Sequence, residues 1–254
     1  MNATGIEYLD FTWSPLVGCS GIGCAVYNNC WAKYMKKRNL NGCPDCTAFK
    51  PHRHFERLEQ PFHTKKPSII GVCFSADFWD KGFSWIDRSR VMNVTDHAKQ
   101  HWFINLTKQT QNIPTLTSEA VVFSNNWIQG ASICTEADLY RVKDLVNLKE
   151  LGYLQNAVLS IEPLYQRLPN LTLEGIDWVI IGAQTHPLKL PEREWVYEII
   201  DKARALKIPV FIKNNIPYGE DYKMYPSKMV EAHEVVESTV TSCNTKSNIV
   251  DSPK

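Results

Sequence analysis

Three cysteines near the start of the chain have the types and spacing to do chemistry. Cys19, Cys24 and Cys30 run C-x4-C-x5-C, and Gly18, Gly21 and Gly23 let the backbone fold tightly around a compact object. Three thiolates from one loop can hold three irons of a 4Fe-4S cube. A fourth would leave the cube an electron carrier, whereas three leave one iron open to an exogenous ligand. Two other readings stand beside this one: zinc held by some of these cysteines, or unligated core thiols. Zinc sites generally show paired C-x2-C knuckles, and the triplet has none.

An open iron of this kind is what radical S-adenosylmethionine enzymes use to chelate the methionine part of their cofactor, whose S–C bond is then cleaved to a 5'-deoxyadenosyl radical. The usual spacing there is C-x3-C-x2-C, from which the present triplet departs. A second group follows at Cys43-Pro-Asp-Cys46, His52 and His54. Its C-x2-C knuckle is a good start to a tetrahedral site, but the histidines are closer than the usual x3 to x5 separation. Structural zinc, a second iron-sulfur cluster and a metal-free loop all remain open. His52, His54 and Arg57 are also candidates to face a substrate phosphate, because a nucleotide needs charge-assisted donors.

These residues must be positioned by regular elements. Glu7 to Trp13 reads as a strand that empties into the cysteine loop, and Trp31 to Arg38 reads as a helix. Gly42 to Pro67, with four prolines and three histidines, reads as an irregular insertion. From Ser68 onward, apolar runs of strand length alternate with segments of helical period, the signature of βα units. The strands expected are Ile69 to Phe74, Trp102 to Leu106, Ile128 to Ile133, Val158 to Ile161, Trp178 to Ile181 and Val210 to Ile212. The expected fold is therefore α/β, a single (β/α) barrel of the TIM type, closed or else open or incomplete, over residues 1–225. Residues 226–254 are expected to form a disordered tail.

Ligands of parallel α/β sheets gather at the carboxyl ends of the strands. The polar residues there are Ser75-Ala-Asp77, Thr107-Lys108, Ser132 with Glu136 close behind, Ser160-Ile-Glu162-Pro163, Gly182-Ala-Gln184-Thr185 and Lys213-Asn214-Asn215. Asp77 and Glu162 suit an amino group, ribose hydroxyls or a base edge, or else a salt bridge to a barrel lysine. Lys108 and Lys213 could be that partner or could hold a carboxylate. Trp31 could shield a cluster, face adenine or pack in the core. Asp77, Glu162 and Lys213 are taken as catalytic candidates, and Trp31, Ser75, Thr107, Lys108 and Ser132 as cofactor-binding ones. His52, His54, Arg57 and Glu136 are taken as substrate-binding.

The bulk numbers narrow the partners. Lys plus Arg total 28 against 27 Asp plus Glu, and a formal charge of +1 over 254 residues lacks the footprint of a protein that grips a long polyanion. A small nucleoside or nucleotide is favoured, and no stable nucleic-acid complex is expected. No stretch approaches the roughly 20 apolar residues of a membrane span, so no membrane partner is expected and the setting is read as cytoplasmic. Five of the eight cysteines crowd between Cys19 and Cys46, which ligation explains better than disulfides in a reducing compartment. Cys73, Cys134 and Cys243 are isolated, and the first two read as core fillers.

With these landmarks in view, the chain resembles a phage-protein-like, three-cysteine radical S-adenosylmethionine family. The matching stretches are Thr12-Trp-Ser-Pro-Leu-Val-Gly-Cys19, Cys30-Trp-Ala32, Glu56-Arg-Leu-Glu-Gln-Pro61, Lys66-Pro67, Phe74-Ser-Ala-Asp77, Leu106-Thr-Lys108, Leu159-Ser-Ile-Glu-Pro163, Ile176-Asp-Trp-Val-Ile-Ile-Gly182 and Phe211-Ile-Lys213. Many relatives have a cysteine where Tyr27 stands; Cys24 is assigned as second ligand, as in a subgroup with a longer gap. The resemblance implies a 4Fe-4S cluster, S-adenosylmethionine and an electron donor such as flavodoxin or ferredoxin. It further implies queuine lyase activity: hydrogen abstraction from the ribose of queuosine or its 5'-phosphate, with release of queuine for salvage into tRNA. The rivals are radical repair or modification of a nucleic-acid base, and a non-catalytic zinc-binding module.

Overall fold

The apolar runs become strands, and the segments between several of them become helices. The computed structural model describes residues 1–22, 24–38, 43–114, 122–219 and 221–230. Among these the strands are β1 (Asn2–Ala3), β2 (Phe11–Trp13), β3 (Leu16–Val17), β4 (His52–Arg53), β5 (Ile69–Val72), β6 (Trp102–Thr107), β7 (Trp127–Ser132), β8 (Asn156–Ile161), β9 (Trp178–Ile181), β10 (Gln184–Thr185), β11 (Leu188–Lys189) and β12 (Val210–Ile212). The α-helices are α1 (Trp31–Arg38), α2 (Pro44–Ala48), α3 (Trp85–His97), α4 (Tyr140–Glu150) and α5 (Arg193–Ala205).

Eight strands form one sheet in the order β1-β2-β5-β6-β7-β8-β9-β12. All neighbours are parallel except β1 and β2. The fold is thus α/β with a mostly parallel central sheet, and each expected strand contributes to it in chain order. The sheet is not closed. Short β1 already occupies the free edge of β2, so β12 finds no ladder there. Side chains reach across instead: the Glu7 carboxylate, in the connector from β1 to β2, accepts from the Asn214 amide at 2.9 and 2.8 Å and from Lys223 Nζ at 3.1 Å.

The parity of the strands sorts the core into two sides. On β8, β9 and β12, Leu159, Val179, Ile181, Val210 and Ile212 join the cluster that includes Val91 and Val94 of α3, Leu145 and Leu148 of α4, and Ile199 and Ile200 of α5. The alternate residues Ile104, Ile128, Val158, Trp178, Ile180 and Phe211 form a second cluster with Tyr8 and Leu9. Met229 is buried in that second cluster, so packed chain continues past the boundary expected at 225. Most of the expected tail, 231–254, and with it Cys243, lies outside the described residues. Cys73 and Cys134 are buried, as core fillers should be. Among the described residues no helix is long and apolar enough to cross a membrane.

The irregular stretch after α1 is tied down by charge. Arg53 on β4 donates to Asp87 Oδ2 at 2.5 Å, and Asp87 also accepts from the Ser84 amide at 2.7 Å in the capping box that starts α3. Burial alone would push the Asp87 carboxyl up, but the Arg53 guanidinium and the Ser84 donors outweigh it and hold the pKa at about 2. An unfolded aspartate titrates at about 3.9. The stabilisation from ionised Asp87 is therefore complete above about pH 4 and is lost as pH falls through about 2. Urea unfolding at stepped pH should show the native chain losing more stability across that window than Asp87→Asn; parallel losses would contradict it.

Candidate functional site

The cysteine loop hangs from the carboxyl edge of the sheet. The Gly18 amide donates to the Ser75 carbonyl just beyond β5 at 3.0 Å, which sets Cys19 beside the strand ends. Asp80 then organises the loop. Its Oδ2 accepts from the Ser20 amide at 2.9 Å, from the Ser20 hydroxyl and from Gln109 Nε2 at 3.0 Å, and Cys19 Sγ lies 3.7 Å away. Burial raises the Asp80 carboxyl, but these donors and the Gly82 amide prevail and keep it below the usual carboxylate range. The Gly21 amide donates to Cys19 Sγ at 3.2 Å. Gly21 has φ +75°, and a Cβ there would fall 2.3 Å from the Tyr27 ring, so both the backbone angle and the space demand glycine. Two further turns follow, Cys24 N to Gly21 O at 3.2 Å and Tyr27 N to Cys24 O at 3.2 Å, and they bring Cys30 to the start of α1.

Cys19, Cys24 and Cys30 all line one cavity of about 430 Å³. Its far wall follows from strand parity. Beyond the apolar positions 104, 158 and 211 the same face carries Leu106, Ser160, Glu162 and Lys213, and from β7 it carries Ser132. Lys213 Nζ pairs with Glu162 Oε1 inside the cavity. Asp77 is clamped at the wall: its carboxylate accepts from the Trp79 amide at 3.1 Å, the Thr107 hydroxyl at 2.5 Å and the Lys108 amide at 2.9 Å. Burial still prevails over those donors and over the Lys108 charge, and raises the Asp77 carboxyl above its ordinary value.

Burial also raises the thiols of Cys19 and Cys24. Cys19 is pushed up to about 12, with the Gly21 amide opposing and Asp77 and Asp80 adding to the shift. Cys24 is raised by burial against the lowering charge of Lys108. Without a metal these sulfurs are thiols at neutral pH, whereas a coordinating cation deprotonates them outright.

The structure brings some of the expected site residues together and leaves others apart. Asp77, Lys108, Ser132, Glu162, Lys213 and Trp31 do share the cavity with the three cysteines. Ser75 and Thr107 do not line it. The Ser75 carbonyl anchors Gly18, and Thr107 supports Asp77. The residues proposed for substrate are placed elsewhere. His52 and His54 turn Nε2 toward Cys43 and Cys46 Sγ at 3.2 to 3.9 Å, Arg57 donates to the Ser14 carbonyl at 3.1 Å, and Glu136 accepts from Asn170 Nδ2 at 2.8 Å. Glu136, expected close behind Ser132, opens a 3-10 turn with Ala137 and Asp138 and is not among the residues that line the cavity.

Other contributors were missed. Tyr165 lines the cavity and bonds Gln184 Oε1, and Asp80 and Gln109 hold the cysteine loop from below. Asp80 stands only three residues beyond Asp77, but its partner Ser20 is 60 residues away and leaves no local signal.

The fold and site together define an α/β protein whose mostly parallel sheet presents a cysteine-lined cavity at its carboxyl edge. The chain belongs to the family described as protein of unknown function (DUF5131), whose model matches residues 3–243. No curated protein and no solved structure matches it.

Replacing Asp80 by Ala leaves the buried Gln109 amide and the Ser20 donors without their acceptor, at a cost of about 1–3 kcal/mol. Chemical denaturation of Asp80→Ala should show a loss of that order, with Asp80→Asn, which keeps one oxygen, losing less. Equal stability of all three proteins would remove Asp80 as the loop's anchor.

Proposed function

We propose that the chain is a radical S-adenosylmethionine enzyme, with queuosine or its 5'-phosphate as substrate and queuine as the released base. The observation that carries the reading is the convergence of Cys19, Cys24 and Cys30 on one cavity at the carboxyl edge of a parallel sheet. The donor set fits a 4Fe-4S cluster. Three sulfurs line the space, and an amide already donates to one of them. Among the described residues the mutual spacing of ligands to a single ion, within 4.8 Å, is found for Cys43, Cys46, His52 and His54. In this reading the sheet is an open (β/α) barrel.

When bound, the cluster and S-adenosylmethionine supply a 5'-deoxyadenosyl radical, which can take a carbon-bound hydrogen that no ordinary base could remove. The chain's own residues bind and orient. Lys108, whose amide is fixed by Asp77, offers a cation to the methionine carboxylate. Trp31 offers a face to adenine, and Ser132 and Ser160 offer hydroxyls along the wall. Glu162, held by Lys213, accepts from ribose hydroxyls or an amino group. The cavity of about 430 Å³ lies within the range of small-molecule sites, so a nucleoside or nucleotide rather than a duplex is the partner. An electron donor such as flavodoxin or ferredoxin completes the system in a cytoplasmic setting.

Anaerobic reconstitution with reductant, S-adenosylmethionine and queuosine 5'-phosphate should yield 5'-deoxyadenosine and free queuine. Each of Cys19→Ser, Cys24→Ser and Cys30→Ser should abolish both products. Formation of 5'-deoxyadenosine without queuine would keep the chemistry and discard the substrate; neither product from a brown, iron-replete protein would discard the enzyme reading.

A further inference from the structure

Cys43 and Cys46 sit at the amino end of a helix, and His52 and His54 sit on an extended segment that faces it. Cys43 caps α2 and Cys46 lies one turn on, so both sulfurs share a helix face. The histidines are two apart along β4 and its continuation, and in extended chain residues i and i+2 point the same way. The x3 to x5 spacing that zinc histidines usually show suits a helix; on a strand a single intervening residue does the same work. Phe49, with φ 54°, ends α2 and turns the chain back so that the two pairs meet. The four ligand atoms lie within 4.8 Å of one another.

The hydrogen bonding of the rings says what belongs between them. His52 Nδ1 donates to the Lys50 carbonyl at 2.7 Å, and His54 Nδ1 donates to Glu56 Oε1 at 2.8 Å. Both acceptors lack a proton, so the proton of each neutral ring is on Nδ1 and both Nε2 atoms present lone pairs. Those two atoms face each other at 2.9 Å, with Cys46 Sγ 3.2 and 3.3 Å from them. Two nitrogen lone pairs this close repel each other, and a cation seated among them and the two sulfurs would relieve that repulsion. Carbonyl or carboxylate partners on Nδ1 are also how metal-bound histidines are normally oriented. With Zn–S of about 2.3 Å and Zn–N of about 2.0–2.1 Å, the edges of a tetrahedron come to about 3.3–3.8 Å. The sulfur-to-nitrogen distances here run from 3.2 to 3.9 Å, while the two nitrogens, at 2.9 Å, stand closer than a tetrahedral edge and would part by a few tenths of an ångström around an ion.

We propose that Cys43, Cys46, His52 and His54 hold one tetrahedral Zn(II), and that this ion braces the backbone that carries Cys19. Two thiolates and two imidazoles fill four positions and neutralise the ion, which leaves no place for substrate and makes the site structural. The brace is read from the backbone. His52 is registered opposite Val17 in the β3–β4 pair, and the His54 amide donates to the Pro15 carbonyl at 2.7 Å. The Phe49 carbonyl accepts from the Cys19 amide at 3.2 Å. Gly18 lies so close that a Cβ on it would sit 2.0 Å from the Lys50 carbonyl oxygen. The metal-closed turn and the segment leading to Cys19 are thus in direct contact along their length.

The test does not depend on any cluster or activity. Elemental analysis should find one zinc per chain in the native protein and in the Cys19→Ser/Cys24→Ser/Cys30→Ser triple variant. Zinc should be lost from Cys46→Ser and from His52→Ala/His54→Ala. Cobalt exchanged into the native chain should give the visible bands of a tetrahedral thiolate site. Zinc absent from the native and triple-variant chains, no cobalt spectrum, or zinc retained by the histidine double variant would overturn the site. If the variants fail to fold, removal of zinc from the native chain by a chelator and its re-addition replaces them. In the zinc-free chain the Cys19 amide should exchange with deuterium at least about tenfold faster and recover protection on re-addition. Unchanged protection would overturn the brace.

Discussion

A strand covered on both faces must send alternate side chains to opposite sides, and the cavity depends on that constraint. Toward the helices the strands carry Val, Ile and Leu, which bury against α3, α4 and α5. Toward the other side they begin apolar, with Ile128, Val158 and Phe211, and end polar, with Ser132, Ser160, Glu162 and Lys213. The change comes within a single strand length. It places an apolar floor under a polar wall, and it leaves the carboxyl edge as the place where ligands and loops must meet.

The cysteine loop exploits that edge through backbone and carboxylate contacts rather than through a core of its own. Ser75 receives Gly18, Asp80 receives Ser20, and Phe49 receives Cys19. Two of these three anchors come from the turn after β5 and one from the segment closed by Cys43, Cys46, His52 and His54. The proposed cluster and the proposed zinc therefore lie on the two sides of one short stretch of chain. The zinc would be structural and fully ligated, the cluster reactive and short of a ligand at one iron. The same residue type serves both because geometry, not identity, sets the coordination number.

Much of this was legible in the sequence. Trp178 to Ile181, Val210 to Ile212 and the helix Trp31 to Arg38 fall on the residues expected, because each is an uninterrupted apolar or helix-forming run. The strand expected from Glu7 begins only at Phe11; the chain first turns at Tyr8 and uses Glu7 to reach Asn214. The pairs β3–β4 and β10–β11 are two residues long and carry no periodicity to detect. At the candidate site, the cysteines stand out by type and spacing, and Asp77, Glu162 and Lys213 by their places at strand ends, and the cavity brings these residues together. Asp80, Gln109 and Tyr165 do not stand out, since their work depends on partners distant in the chain. His52 and His54 were read with helical spacing in mind, and the extended backbone between them changes that reading.

Electron paramagnetic resonance of the reconstituted, reduced chain bears most directly on whether the three thiols leave one iron open. The account predicts the signal of a reduced 4Fe-4S cluster whose g values shift when S-adenosylmethionine is added, as its amino and carboxylate groups take the vacant position. A cluster signal indifferent to S-adenosylmethionine, or a reconstituted chain with no cluster signal at all, would contradict it.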